Sequence, residues 1–130
     1  MQTPCHFAPD APSLRVWIAG NHAEAKQVAN RHFRHAVRPP VGPIDGAVIA
    51  AQSTHEAVYF AAKVQGRLAA HGTLWILRSE PAADADAACS ADMDLDARLS
   101  RYGYRRIEAA TTYRDLVCTA FVCDRKKKRR

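Results

Sequence analysis

The chain has 130 residues, 48% hydrophobic and 25% charged, which is the composition of a single soluble globular domain. No apolar run approaches the roughly 18 to 20 residues that a membrane-spanning helix needs, and the opening residues MQTPCHFAPDAPS lack the pattern of a secretory signal. The formal net charge of +6 suggests an acidic partner, but most of that excess comes from the terminal run KKKRR.

The chain begins with a predicted strand and helix. LRVWIAG, residues 14–20, is rich in β-branched and aromatic residues and ends at Gly, which is typical of a strand. NHAEAKQVANRHFRHAV follows as a helix, with Asn21 and Glu24 at the spacing of a capping box and apolar residues at helical spacing. The segment RPPVGP then excludes regular structure. We expect this helix to pack on a sheet.

A second strand, helix and strand follow. IDGAVIAA is almost continuously apolar, which favours a strand covered on both faces, as in a parallel sheet. STHEAVYFAAKVQGRLAAHG reads as a helix in which Ser53 and Glu56 form a second capping box and Gly72 is the C-terminal stop. TLWIL is the third strand, so the two strands should be parallel neighbours.

The last third is predicted to be a loop, a short helix and two antiparallel strands. Residues 81–94 are rich in Ala and Asp and read as a loop, and DLDARLSRYG reads as a helix that ends at Gly103. YRRIEAAT and LVCTAFVCD are strands joined by a short turn. The predicted fold class is therefore an α/β three-layer sandwich, mostly parallel, with an antiparallel hairpin at its C-terminal edge. The predicted domain is residues 1–124, followed by a basic tail, residues 125–130.

The segment from IDGAVIAA through FVCD resembles the second half of the class I S-adenosylmethionine-dependent methyltransferases. In that family an Asp opens the fourth strand, a Pro-Gly-Gly-like turn precedes the fifth, and a helix ending in Gly-Tyr or Gly-Phe precedes a final antiparallel pair. Asp45, RLAAHGTLWIL and RLSRYGYRRIEAA occupy these places here. The resemblance implies a truncated, Rossmann-like methyltransferase fold.

The first half departs from that family. Class I methyltransferases carry a Gly-rich loop after the first strand and an acidic residue after the second, and both bind the cofactor. Here AGNHAEA has one Gly, and too few residues precede IDGAVIAA for the usual second and third strands. A methyltransferase-like domain without the cofactor loop is similar to the N-terminal domain of the anamorsin family. VWIAG resembles the first strand of that domain, and the basic tail resembles the start of the linker that follows it.

The anamorsin resemblance implies a non-catalytic protein-interaction domain in cytosolic iron–sulfur cluster assembly. It implies no cofactor in this domain, a cytoplasmic location, and a partner from the assembly machinery, with a flavin reductase as one candidate. Two alternatives stay open: a divergent S-adenosylmethionine-dependent methyltransferase, and a basic RNA- or ribosome-associated domain.

Some residues could line a crevice or bind a partner. Gly20, Asn21, Ser53 and His55 follow the first two strands, where α/β sheets bind ligands, although capping also explains Ser53. Exposed arginines on and after the first helix could contact a protein partner; these are Arg31, Arg34 and Arg38. The tail could be the start of a linker, a nuclear import signal or a nucleic-acid arm.

Neither the histidines nor the cysteines have the spacing of a metal site. His32 and His35 form an H-x-x-H pair without a third ligand at suitable spacing, so we expect them to be solvated or packed. Cys118 and Cys123 are predicted to be buried free thiols because both lie in an apolar strand and no C-x-x-C pair is present. No catalytic, cofactor-binding or metal-binding residue is predicted.

Overall fold

The computed structural model describes residues 14–36, 43–79, 85–107, 111–113 and 116–123. These residues form six strands and three α-helices. In chain order they are β1 (Val16–Gly20), α1 (Ala23–His32), β2 (Ile44–Ala51), α2 (Thr54–Val64), β3 (Leu68–Ser79), α3 (Ala85–Ser100), β4 (Tyr104–Arg106), β5 (Thr111–Tyr113) and β6 (Leu116–Cys123). A short 3-10 helix, Gln65–Arg67, joins α2 to β3.

All six strands belong to one mixed sheet with the order β1-β2-β3-β6-β4, in which β5 also pairs with β6. The β1-β2 and β2-β3 pairs are parallel, as expected from the two helical crossovers. The β3-β6, β4-β6 and β5-β6 pairs are antiparallel. The predicted fold class is confirmed, and the structure adds that β6 lies inside the sheet, between β3 and the edge strand β4.

Helices cover the two faces of the sheet and give it three layers. Small residues of α1, Ala25 and Ala29, are fully buried against one face together with Val48 and Trp75. Phe33, the residue after α1, is 1% exposed and its ring lies 5.6 Å from that of Trp75. The side chain of Phe33 is therefore part of the core between α1 and the sheet.

The opposite face is covered by α2 and α3. Its core is built from alternate residues of β2, β3 and β6 and from the inner sides of both helices; it includes Ala47, Ile49, Ala57, Ala61, Leu74, Ile76, Leu95, Leu99 and Phe121. Alternation along β2 places Ala47 and Ile49 here and Val48 on the α1 side. The continuous apolar pattern of β2 is thus explained by burial on both faces.

Several predicted boundaries are wrong. The first helix ends at His32 and does not continue to residue 37, because Phe33 turns into the core. The second helix ends at Val64, and Gly72 lies within β3 and does not stop a helix. The third helix begins at Ala85, inside the stretch predicted to be a loop.

An irregularity in the β2-β3 pairing explains the error at Gly72. Ile44 pairs with Leu68, but Gly46 pairs with Thr73, so β3 contains extra residues between these two points. A Cβ at Gly72 would lie 3.1 Å from the carbonyl oxygen of Asp45 and 3.0 Å from that of Ala69. A Cβ at Gly72 would thus meet the backbone both of β2 and of β3 itself, so a larger residue needs these atoms to shift slightly.

Two further findings concern the sulfurs and the membrane. Cys118 is disulfide-bonded, so the prediction of a free thiol is wrong there, while Cys123 is free and buried, as predicted. The free-thiol prediction was based on the apolar strand and on the absence of a C-x-x-C pair, and neither feature excludes a disulfide between cysteines that are far apart in the sequence. Among the described residues, no helix is long and apolar enough to cross a membrane.

Candidate functional site

The candidate site lies at the edge of the sheet where the parallel strands end. β1 ends at Gly20, β2 at Ala51 and β3 at Ser79, and parallel strands place their carboxyl ends at one edge. Asp45, the residue that resembles the family's strand-opening Asp, lies at the opposite end of β2. Its backbone N donates to the carbonyl oxygen of Arg15 (2.7 Å), and its carboxylate accepts from the Arg15 N–H (2.9 Å). Asp45 therefore joins β1 to β2 and lies away from the site.

Gly20 makes the sharp turn from β1 into α1. Its φ of 105° lies in the region that favours glycine. A Cβ at this position would lie 2.7 Å from the carbonyl carbon of Ala50 and 2.8 Å from its N, and closer still to its oxygen. The backbone N of His22 donates to that same oxygen (3.0 Å). The space beside Gly20 is thus filled by the neighbouring strand of the chain itself.

His22 caps α1, whereas the sequence pattern predicted Asn21 as the cap. The Nδ1 atom of His22 accepts a hydrogen bond from the N of Ala25 (3.2 Å). The Nε2 atom of the same ring shares a hydrogen bond with the Oγ of Ser79 at 2.6 Å, and the tautomer of the ring decides which of the two donates.

Glu56 binds the groups that surround the start of α2. Its Oε2 accepts from the side-chain amide of Asn21, and its Oε1 accepts from the backbone N of Gln52 at 2.6 Å. The Oγ of Ser53 accepts from the N of Glu56 (3.1 Å), as the capping box predicted. The other half of that box is shifted by one residue, because Glu56 binds the N of Gln52 and not that of Ser53.

A shallow crevice of about 360 Å³ remains at this edge. It is lined by His22, Ala23, Glu24, Gln52 and Ser79. Of the residues that the sequence proposed for a crevice, Gly20 is buried beneath this edge, and Asn21 and Ser53 are bound to Glu56. His55 is exposed and lines a different groove, on the outer face of α2.

Sequence reasoning missed His22 and Ser79 as members of this edge. Histidine is an uncommon helix cap, and Ser79 belongs to a strand that was predicted to end at Leu77. The available signal was position alone: Ser79 is the last residue of β3, at the carboxyl end of a parallel strand.

The arginines proposed for partner binding lie elsewhere. Arg31 in the last turn of α1 and Arg34 just after it are exposed. Arg38 and the basic tail lie outside the described residues. Because α1 covers one face of the sheet, Arg31 lies in the α1 layer, on the opposite side of the sheet from α2 and α3.

The two histidines of the H-x-x-H pair do not share a helix. α1 ends at His32, whose ring contacts that of Phe33 edge-on with centroids 4.5 Å apart, and His35 is an exposed turn residue. In the described parts of the chain, no group of three His, Cys, Asp or Glu side chains could hold a metal ion.

Solved structures with the same architecture are methyltransferase-fold proteins. The fibrillarin pre-rRNA processing protein of Methanococcus jannaschii matches with a TM-score of 0.64 and 9% identity, covering 93% of this chain and 71% of that one. The mitomycin 7-O-methyltransferase MmcR matches with a TM-score of 0.59 and 9% identity, covering 85% of this chain and 49% of that one. The apo S-adenosylmethionine-dependent methyltransferase SibL matches with a TM-score of 0.54 and 12% identity, covering 85% and 50%.

The chain thus spans about half the length of the MmcR and SibL methyltransferases. No protein-family model matches it, and no curated protein does so significantly. None of these comparisons points to the anamorsin family in particular. At these identities the likeness concerns the fold alone, which is a truncated, Rossmann-like methyltransferase fold.

Proposed function

We propose that this chain is a non-catalytic, methyltransferase-like protein-interaction domain that binds no S-adenosylmethionine. One observation carries the proposal: at the edge where a cofactor would lie, the chain's own contacts occupy the space beside Gly20 and the polar groups of Asn21 and Gln52, and only a shallow crevice remains. The space beside Gly20 holds the backbone of Ala50, and Asn21 and the N–H of Gln52 are bound to Glu56. A cofactor would have to displace these contacts before it made any of its own.

The anamorsin-type role is the finer part of the proposal and rests on the sequence resemblance. In that role the domain would dock a protein of the cytosolic iron–sulfur assembly machinery, such as a flavin reductase. The exposed side of α1 at Arg31 is the surface that we expect to contact it, because a cationic helix face complements an acidic partner.

Titration calorimetry with S-adenosylmethionine tests the non-catalytic role directly. We expect only the heat of dilution up to millimolar ligand, and an affinity in the micromolar range would overturn the proposal.

Elemental analysis of the purified chain should give less than one equivalent of zinc or iron, because neither histidine nor cysteine spacing provides four ligands.

A divergent methyltransferase is the second candidate, and the crevice favours it. Its lining residues His22, Glu24 and Ser79 lie at the edge where sheets of this class bind ligands. If the calorimetric titration gives micromolar binding and Ser79→Ala or Gln52→Ala weakens it, this candidate replaces the first. Substitutions in the crevice without effect on ligand binding would exclude it.

An RNA-associated domain is the third candidate, suggested by the basic tail and by the likeness to a pre-rRNA processing protein. Binding through the tail should fall steeply with salt and should disappear when Lys126 to Arg130 are deleted, because phosphate contacts release counterions. RNA binding that survives both the deletion and moderate salt would favour this candidate over the interaction domain.

A further inference from the structure

A groove of about 430 Å³ runs along the outer face of α2, on the side of the sheet opposite to α1. It is lined by His55, Val58, Tyr59, Ala62, Lys63 and Tyr102. Helical geometry explains the arrangement, because the residues facing the core are Ala57, Ala61 and Val64. The outward residues therefore recur four apart and form one stripe.

The floor of the groove is apolar and aromatic. Tyr59 is 54% exposed and Tyr102 is 38% exposed, and both line this one groove, so they form a contiguous exposed aromatic patch. Both are held in place: the Tyr59 ring packs edge-on against Phe60, with centroids 5.1 Å apart, and the carbonyl oxygen of Tyr102 accepts from the side-chain amide of Gln65 at 2.8 Å. The groove is therefore formed before any partner binds.

The rim of the groove is positively charged. Lys63 lines the groove and lies over the Tyr59 ring, 5.5 Å from its centroid; Arg101 precedes the lining residue Tyr102 in the chain, and Arg67 follows two residues after Gln65, whose amide donates to the Tyr102 carbonyl oxygen. Lys63, Arg67 and Arg101 are exposed, and no carboxylate among the described residues pairs with them. The acidic residue of α2, Glu56, is bound to Asn21 and Gln52 at the other end of the helix and does not neutralise this rim.

We propose that this groove binds an acidic amphipathic helix of a partner protein, with apolar side chains of that helix between Tyr59 and Tyr102. An aromatic floor within a charged rim is the usual anatomy of a protein interface, and a single apolar groove suits one helix face. Charge complementarity selects a partner rich in Asp and Glu. The inference adds a second docking surface, on the opposite layer from Arg31, to the proposed interaction role and rests on that role.

Single-stranded RNA is the competing occupant, since it is also acidic and stacks on aromatic rings. The contacts of Tyr59 favour the protein helix. The ammonium group of Lys63 lies over one face of the Tyr59 ring, 5.5 Å from its centroid, so a stacked base would have to displace it, whereas an aliphatic side chain can pack against the exposed edge of the ring.

Fluorescence anisotropy with a labelled synthetic peptide tests the proposal on the full chain. The probe is a helical peptide of about 15 residues with Leu and Phe at every third or fourth position among glutamates. A peptide of the same pattern with lysines in place of glutamates is the matched control. We expect the acidic peptide to bind and the basic one not to bind.

Variants locate the binding site. Lys63→Glu and Tyr59→Ala should each weaken peptide binding about tenfold or more, whereas Lys26→Glu on α1, in the opposite layer, should change it less than about twofold. Lys63 and Tyr59 are both exposed, so each variant should fold, and its melting curve checks this. Equal losses in all three variants, or no binding of the acidic peptide, would overturn the proposal. Displacement of the bound peptide by micromolar oligouridine would assign the groove to RNA instead.

The outcome is independent of the cofactor titration. Peptide binding at the groove together with micromolar S-adenosylmethionine binding would leave the groove in place and reject the non-catalytic role. Absence of both would reject the groove and retain that role.

Discussion

Gly20→Ala is the substitution that most directly tests whether the cofactor edge is filled by the chain. Gly20 has a φ of 105°, and an added Cβ would lie 2.7 Å from the carbonyl carbon of Ala50 and 2.8 Å from its N. Because these are backbone atoms of the inner strand β2, they cannot rotate away as a side chain would. The neighbouring His22 N–H also binds the Ala50 oxygen, which holds the two segments together.

The expected loss of stability has two parts. An alanine with a left-handed backbone costs about 1 to 2 kcal/mol, and forcing a methyl group into filled space costs about 1 to 3 kcal/mol. The free energy of unfolding should therefore fall by about 2 to 5 kcal/mol. For 130 residues the entropy of unfolding is about 270 cal/mol/K, so a loss of 3 kcal/mol lowers the melting temperature by about 10 °C.

Urea denaturation followed by circular dichroism measures this change, and Gly66→Ala is the matched control. Nothing lies within 4 Å of a Cβ at Gly66, and that glycine has no positive φ. The control should be neutral or should gain up to about 1 kcal/mol, because alanine restricts the unfolded chain. The free energy of unfolding of Gly20→Ala could instead lie within about 0.5 kcal/mol of the wild-type value. The space beside Gly20 would then be open, and the main argument against cofactor binding would fail.

Three further predictions concern stability and the sulfurs. Asp96→Asn should lower the free energy of unfolding by about 1 kcal/mol in urea denaturation, because the Asp96 carboxylate accepts three hydrogen bonds from the partly buried Arg106 guanidinium. Tyr104→Phe should lower it by about 1 to 2 kcal/mol, because the buried hydroxyl donates to the carbonyl oxygen of Ala61 at 2.7 Å. The denatured, unreduced chain should show two reactive thiols out of four cysteines, because the disulfide at Cys118 uses two of them.

Each of these predictions has a control or a contradicting result. Asp94→Asn is the control for Asp96, because the Asp94–Arg98 pair lies on the surface of one helix with side chains 49% and 46% exposed, and its loss should cost less than about 0.5 kcal/mol. Equal losses for both variants would show that partial burial adds nothing. A Tyr104→Phe variant as stable as the wild type would mean that the buried hydroxyl contributes no net stability. Four thiols before reduction would contradict the disulfide.

The residue patterns predicted the parallel half of the sheet well because burial on both faces leaves a clear trace. Apart from the exposed Asp45, every residue of β2 is apolar or small, and every one of these is buried. The end of α2 was harder to predict. QGRLAAHG contains good helix formers and a stop-like glycine, but tertiary pairing of Leu68 with Ile44 draws this segment into β3. Local propensity could not reveal a partner that lies 24 positions earlier in the chain.

In the candidate site too, local contacts could be predicted from the sequence and contacts between distant residues could not. Ser53 as the cap of α2 was predictable, since a capping box is local and its two residues are three apart. The bonds of Glu56 to Asn21 and of His22 to Ser79 join residues 35 and 57 positions apart, so no local pattern contains them. They arise only when the crossover brings the carboxyl ends of β1, β2 and β3 to one edge.

The sequence by itself determined the α/β class, the order of the main elements and the two apolar faces of β2, because periodicity and turn residues act over a few positions. Only the tertiary structure decided that β6 lies between β3 and β4, that Gly20 is packed against Ala50, and that Tyr59 and Tyr102 line one groove. Those features depend on contacts between distant segments, whose free energy is gained only when the whole sheet has formed.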